Sequence, residues 1–309
     1  MGVLDDIIAH KRSELSRRRA DRAVGELEAE CRRLPPPRDL EAALRPRGQQ
    51  RVSLIAEVKR ASPSHGVLKA DLDPVSQARA YARAGAAAIS VLTDEKYFRG
   101  SLDDLVAVRA AVGVPVLRKE FILDEYQLWE SRSAGADAVL LIVAALDREA
   151  LGDLLHAAKG IGLGTLVEVH TAEELERALG LGAPVVGVNN RDLQTLQTSL
   201  APSLSLLPLI PSGPVAVSES GIMTGADVEL VVAAGAHAVL VGEALVRATD
   251  VEAKVRELLL GPPHPALSPE AGERDARNPG PPGERDARKL VPPGARDARN
   301  PLPPGERVG

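Results

Sequence analysis

The chain has 309 residues, room for one large domain or two modest ones, and its 44% hydrophobic content can supply a sizeable core. Aromatic residues make up only 2%, so that core is aliphatic and stacking platforms for single-stranded nucleic acid are excluded. The net charge of −5, from 38 basic and 43 acidic residues, leaves no polyanion footprint, and the single Cys31 excludes a disulfide framework or a cysteine-based zinc site.

The chain opens with a helical reading to about residue 48. Leu4, Ile7, Ile8 and Leu15 have helical spacing, with Asp5 and Asp6 early and Arg17, Arg18 and Arg19 late, an order that suits the helix dipole. Charges break this stretch before it could serve as a signal peptide, and no apolar run reaches a membrane span, so a cytoplasmic protein is expected. Pro35, Pro36 and Pro37 then interrupt it. Cys31 reads as a packing residue.

From residue 52, apolar runs alternate with Ala-rich segments of helical period. The predicted strands are 52–58, 87–92, 114–119, 136–143, 164–169, 184–190, 214–220 and 237–243. Each gap can hold one helix, and continuous apolar strands of this kind form a parallel sheet covered by helices. Four near-identical turns, RAGAAAI, SAGADAV, LGLGAPV and AAGAHAV, place a Gly just past a helix end. The pattern predicts an α/β fold closed into a (β/α)8 barrel at 49–260, the TIM-barrel arrangement, with an open doubly wound sheet as the alternative. Tyr126 and Trp129 are expected on the helix after the third strand, packed against the barrel.

Residues 261–309 differ in kind. They hold 12 of the 24 prolines and repeat as AGERDARNP, PPGERDARK, PPGARDARN and PPGERVG. No apolar periodicity survives, so a disordered Pro/Arg-rich tail is expected, either an interaction segment or a repetitive extension without a role.

A parallel barrel keeps its active site at the C-terminal strand ends. Five strands turn polar there: Glu57 and Lys59, Arg118 to Glu120, Glu168, Asn189 to Arg191, and Ser218 to Ser220. Alternation along a strand sends Glu57 and Lys59 to one side, and Glu168 and Glu219 inward with Leu166 and Val217. Lysines and carboxylates sharing one mouth would shift each other's pKa, as acid–base work requires. Gly-containing turns at Ser220-Gly221 and Gly242-Glu243, each expected to lead into a helix start, suit a phosphate, although Glu243 is an awkward neighbour for an anion. His170 reads more simply as a rim residue than as a base.

At these residues the chain resembles the indole-3-glycerol-phosphate synthases, through IAEVKRASPSHG, VLTDEKYFRGS, VLRKEFILDEYQL, LVEVHTAEEL, GVNNRDL and SESGI, in order from the N-terminus to about residue 260. The resemblance implies ring closure of 1-(2-carboxyphenylamino)-1-deoxyribulose 5-phosphate to indole-3-glycerol phosphate, with loss of CO2 and water. It implies no metal and no redox cofactor. Lys119 would be the general acid, Glu168 and Lys59 would move the protons of dehydration, and Glu57 would fix Lys59. Asn189 and Glu219 would orient hydroxyls and lysines. Arg191 and Ser62 would hold the anthranilate ring and its carboxylate, with Phe98 and Phe121 beside it. Ser220, Gly221 and Gly242, with Lys59 and the Gly242-Glu243 turn, would hold the phosphate. The expected partner is the small phosphorylated substrate alone, with no nucleic acid or membrane, on a monomer or weak dimer. Two other readings stay open: a Schiff-base lyase using Lys59 or Lys119, and a scaffold acting through its tail.

Overall fold

The computed structural model describes residues 2–48 and 50–260, which fall in one compact unit. The expected tail at 261–309 lies outside the described residues.

Eight parallel strands close into a barrel: β1 (Ser53–Val58), β2 (Ala88–Leu92), β3 (Val116–Lys119), β4 (Ala138–Ile142), β5 (Gly164–Val169), β6 (Val185–Asn189), β7 (Val215–Glu219) and β8 (Ala238–Val241). Each lies within its predicted run, and β8 returns to β1 with Ser53 opposite Ala238, which rules out the open sheet. Three helices precede the barrel: α1 (Val3–Asp21), α2 (Val24–Cys31) and α3 (Leu40–Leu44). The helices that follow are α4 (Pro74–Ala84), α5 (Glu95–Phe98), α6 (Leu102–Ala111), α7 (Glu125–Ser133), α8 (Arg148–Ile161), α9 (Ala172–Gly180), α10 (Ala201–Leu206), α11 (Gly225–Ala233), α12 (Glu243–Val246) and α13 (Val251–Leu260).

The helices start where short polar side chains can cap free N–H groups. Asp73, Ser101, Asp124, Asp147, Thr171 and Thr224 accept from the first turns of α4, α6, α7, α8, α9 and α11. The four repeated turns end their helices through Gly85, Gly135, Gly182 and Gly235, all at positive φ, which a side chain would strain.

Strand alternation splits the core in two. Leu54, Ala56, Ile89, Val91, Val167 and Val239 face outward under the helices. Ile55, Ala88, Leu117, Leu140, Leu166, Val217 and Leu240 fill the barrel, and Leu40 and Leu44 of α3 pack into the same interior cluster. Because inward positions recur every second residue, the rows continue to Glu57 on β1, Lys119 on β3, Glu168 on β5, Asn189 on β6 and Glu219 on β7.

The N-terminal extension is bound to the barrel by buried charge. Lys11 of α1 is 3% exposed, and its ammonium lies 2.9 Å from Glu14, 2.8 Å from Asp94 and 3.0 Å from Glu120. Tyr126 and Trp129 correct one expectation. The Tyr126 hydroxyl donates to the carbonyls of Arg18 (2.9 Å) and Arg22 (3.1 Å), and the Trp129 carbonyl accepts from Cys31 Sγ at 3.6 Å. This face of α7 packs on α1 and α2 rather than on the barrel, because the extension covers it. Cys31 is buried there, as expected of a packing residue.

Candidate active site

The inward rows end together at the C-terminal mouth. Lys119 Nζ donates to Glu168 Oε2 at 2.8 Å and lies 3.2 Å from Glu219 Oε2. Asn189 Nδ2 donates to Glu168 Oε1 at 2.9 Å. Lys59 lies 2.8 Å from Glu57 Oε1. All six side chains belong to the same mouth, and Glu57, Glu168, Asn189 and Glu219 are buried.

The electrostatics pull these groups apart. Burial disfavours the Lys119 ammonium, but Glu168, Glu219 and Glu57 outweigh it and hold its pKa above the ordinary 10.5. Burial also works against ionised Glu168, yet Lys119 and His170 beside it keep that carboxyl below its usual range. Glu219 goes the other way. Burial, with the Glu168 charge nearby, pushes it up to about 7 despite Lys119. Glu219 Oε2 faces the Lys119 ammonium at 3.2 Å, and the residue lines the second of the mouth's two cavities.

Glycines make room for these carboxylates. A Cβ on Gly187 would sit 2.0 Å from Glu219 Oε1, and one on Gly242 would sit 2.5 Å from Glu57 Oε1. The sequence reading assigned Gly242 to phosphate alone.

Two adjoining cavities open onto the cluster. The first is narrow and mainly apolar: Phe98 and Phe121, with ring centroids 6.3 Å apart, line it with Ser62, Leu140, Ile142 and Arg191. The fourth strand, apolar to its end, thus supplies one wall. The second, about 720 Å³, is lined by Lys59, Ser220, Gly221, Gly242 and Glu243. Lys119 and Glu57 border both.

Every residue expected at the site therefore lines a cavity or contacts one that does. Details differ from expectation. Gly242 caps the short helix α12 directly, but Ser220 and Gly221 precede α11 by several residues. They turn the chain instead by adopting φ of 64° and 75°, a conformation costly for the serine. The Glu243 carboxylate turns to Arg247 Nε at 3.0 Å and lies 3.6 Å from His65, so its charge is partly answered. Arg191 donates to the Leu196 carbonyl at 3.0 Å, and Leu196 itself is held at a φ of 60°.

Sequence reasoning missed two sets of wall residues and set aside a third contributor, His170. Val3, Leu4 and Ile7 of α1 line the apolar cavity, so the extension roofs the site. Ser64, Leu193 and Leu196 add to the walls. His170 stands beside Glu168, a placement that its two-residue spacing from Glu168 could have signalled.

The indole-3-glycerol phosphate synthase family model matches residues 4–258. The chain is 51% identical over 269 residues to an indole-3-glycerol phosphate synthase of Kineococcus radiotolerans, covering 86% of this chain and 98% of that protein. It is 52% identical over 264 residues to one of Roseiflexus castenholzii, covering 83% and 97%. Among solved structures, 3-hexulose-6-phosphate synthase of Salmonella typhimurium superposes with a TM-score of 0.56 at 16% identity, over 68% of this chain and 97% of that one. Thiamine phosphate pyrophosphorylase of Pyrococcus furiosus gives 0.52 at 17%, over 71% and 96%. At such identities these two likenesses speak for the barrel alone.

Proposed function

The chain belongs to the indole-3-glycerol phosphate synthase family, a family of carboxy-lyases in tryptophan biosynthesis, and from that premise we propose how its barrel mouth carries the reaction. The observation behind the reading is Lys119 held between Glu168 and Glu219 where the two cavities meet.

The substrate's carboxyphenyl ring lies in the apolar cavity between Phe98 and Phe121, its carboxylate toward Arg191 and Ser62. Its phosphate lies in the second cavity against Lys59 and the turns at Ser220-Gly221 and Gly242-Glu243. That pose puts the ribulose carbonyl beside Lys119. The ammonium hydrogen-bonds and protonates the carbonyl oxygen as the ring carbon attacks, which stabilises developing negative charge. Loss of CO2 rebuilds conjugation, and water leaves as Glu168 and Lys59 move the protons. Glu57 fixes Lys59. Asn189 holds Glu168, and Glu219, on the wall of the second cavity, orients the substrate hydroxyls.

Release of CO2 and water involves no net oxidation, so the reading assigns no redox cofactor, and it gives the acid role to Lys119 rather than to a metal. The Schiff-base alternative is disfavoured on electrostatic grounds. A nucleophilic lysine must be neutral, whereas carboxylates hold Lys119 charged. Borohydride with substrate should trap no adduct.

The reading extends to a helical extension at 1–48, a catalytic barrel at 49–260 and a separate tail at 261–309. It takes the protein as cytoplasmic, a monomer or at most a weak dimer. Among the described residues no helix is long and apolar enough to cross a membrane.

The test mixes purified protein with the carboxyphenylamino-deoxyribulose phosphate and follows indole absorbance or fluorescence. The signal should grow without metal or nucleotide and should vanish in Glu168→Gln. Near-normal turnover in that variant would remove Glu168 from the mechanism.

A further inference from the structure

His170 follows β5 directly, and the mechanism leaves it unused. Its ring is wedged between two carboxylates on different elements. Nδ1 lies 3.2 Å from Glu174 Oε2 on α9, and Nε2 lies 3.4 Å from Glu168 Oε1. The backbone N–H of His170 donates to that same Glu174 oxygen at 2.7 Å, which fixes the ring's outer edge. Nε2 is buried, has no hydrogen-bond partner among the described residues, and faces Glu168 Oε1. The ring lines neither cavity, so it stands behind Glu168 rather than beside a substrate.

Glu168 is thus gripped from three sides. Lys119 takes Oε2, while Asn189 and His170 share Oε1. The hold depends on the imidazole's charge. With Nδ1–H committed to Glu174, a neutral ring presents the Nε2 lone pair to a carboxylate oxygen, and the contact is repulsive. An imidazolium has N–H groups on both sides and joins both carboxylates.

We propose that His170 is a positioning residue whose imidazolium clasps Glu168 from behind, holding it ionised and oriented for the proton transfers of dehydration. This rests on the role of Glu168 given above. The groups around the ring favour its charge: Glu168 on β5, Glu174 on α9, Glu219 on β7 and Asp192 in the loop after β6, with the Lys119 ammonium beyond Glu168. Burial alone would lower the imidazole's pKa, but Glu174 and Glu168 outweigh it and hold it above the ordinary 6.5. The clasp is therefore present below that elevated value and is released as pH rises through it.

The experiment is a kcat–pH profile of the full-length wild type, His170→Asn and Glu174→Gln, together with an NMR titration of the His170 ring protons. The wild type should lose turnover on the alkaline side at the pH where His170 titrates, above 6.5. His170→Asn should turn over about tenfold more slowly on the acid side of that inflection, the cost of one charge-assisted contact to an acting group, and should lack the inflection itself. In Glu174→Gln both the inflection and the ring titration should move to lower pH. A His170 titration at or below 6.5, or an alkaline limb unchanged in His170→Asn, overturns the proposal. Should Glu168→Gln retain turnover, the role of Glu168 falls instead, and the ring titration still reports on the clasp in the resting protein.

Discussion

Two buried charge clusters lie side by side, and consecutive residues belong to each. Lys119 enters the mouth cluster with Glu57, Lys59, Glu168 and Glu219, while Glu120 joins Lys11, Glu14 and Asp94, next to Arg118 and Glu130. Composition and burial are alike in the two. Partnership differs. In the second cluster every carboxylate has a cation within 3.0 Å: Glu14, Asp94 and Glu120 have Lys11, and Glu130 has Arg118. In the mouth cluster Glu219 lies 3.2 Å from a lysine already bound to Glu168, lines the second cavity, and has its pKa pushed up to about 7. Buried charge therefore does not mark a catalytic centre by itself; buried charge gathered along cavities, with one carboxyl pushed well above its ordinary range, does.

The largest effect that would sharpen this contrast is Lys119→Ala. Turnover should fall by about a thousandfold or more, since an acid and an electrostatic stabiliser are lost together. The circular dichroism spectrum should remain that of the native barrel. Near-normal turnover would mean that the mouth cluster, like its neighbour, is structural.

Lys11→Met applies the same test to the other cluster and should reverse the outcome. It leaves Asp94 and Glu120 buried without their shared cation, a loss expected to cost about 3–5 kcal/mol of stability. The melting midpoint should drop clearly, while turnover of the folded fraction stays within about threefold of wild type, as expected away from reacting groups. A stable but inactive variant would break the comparison.

What the sequence made legible follows from the same division. The eight strands were readable because each is a continuous apolar run, and the mouth residues because alternation carries each inward row to a polar end, as at Leu166 and Glu168. The Lys11 cluster was not readable. Its members meet across large separations, as Arg18 and Glu130 do at 112 residues, and a lysine on a charged helix looks like a solvated one. For the same reason α1 read as an appendage rather than as the roof that Leu4 and Ile7 form. His170 was set aside because a histidine at a rim has an ordinary explanation, and only the second carboxylate, Glu174, removes it.

A smaller effect tests whether the mouth needs its open geometry. Gly187→Ala drives a Cβ into Glu219 Oε1 and should cost about 1–3 kcal/mol through overpacking. Because Glu219 is displaced rather than removed, KM should rise more than kcat falls. Gly113→Ala, where a Cβ meets nothing within 4 Å, serves as the control and should change neither.

The smallest effect separates the two clusters by pH alone. Glu219 has a folded-state pKa of about 7 against an ordinary 4.5, so between those values the folded protein keeps a proton that the unfolded chain has released. Stability must then fall as pH rises through that window, by at most about 1.4 kcal/mol per pH unit. Glu168 does not interfere, since its lowered pKa gives stabilisation that is present above 4.5 and lost only at lower pH. His170, with its pKa raised, contributes stability that is complete below 6.5 and lost above it. His237, lowered from 6.5 by burial and by Arg45, adds an opposite slope below 6.5, so the Glu219 contribution between pH 4.5 and 6.5 is read as the difference between wild type and Glu219→Gln, which should remove the decline. A slope that survives the substitution would place the strained proton elsewhere and leave Glu219 as well partnered in solution as the carboxylates around Lys11.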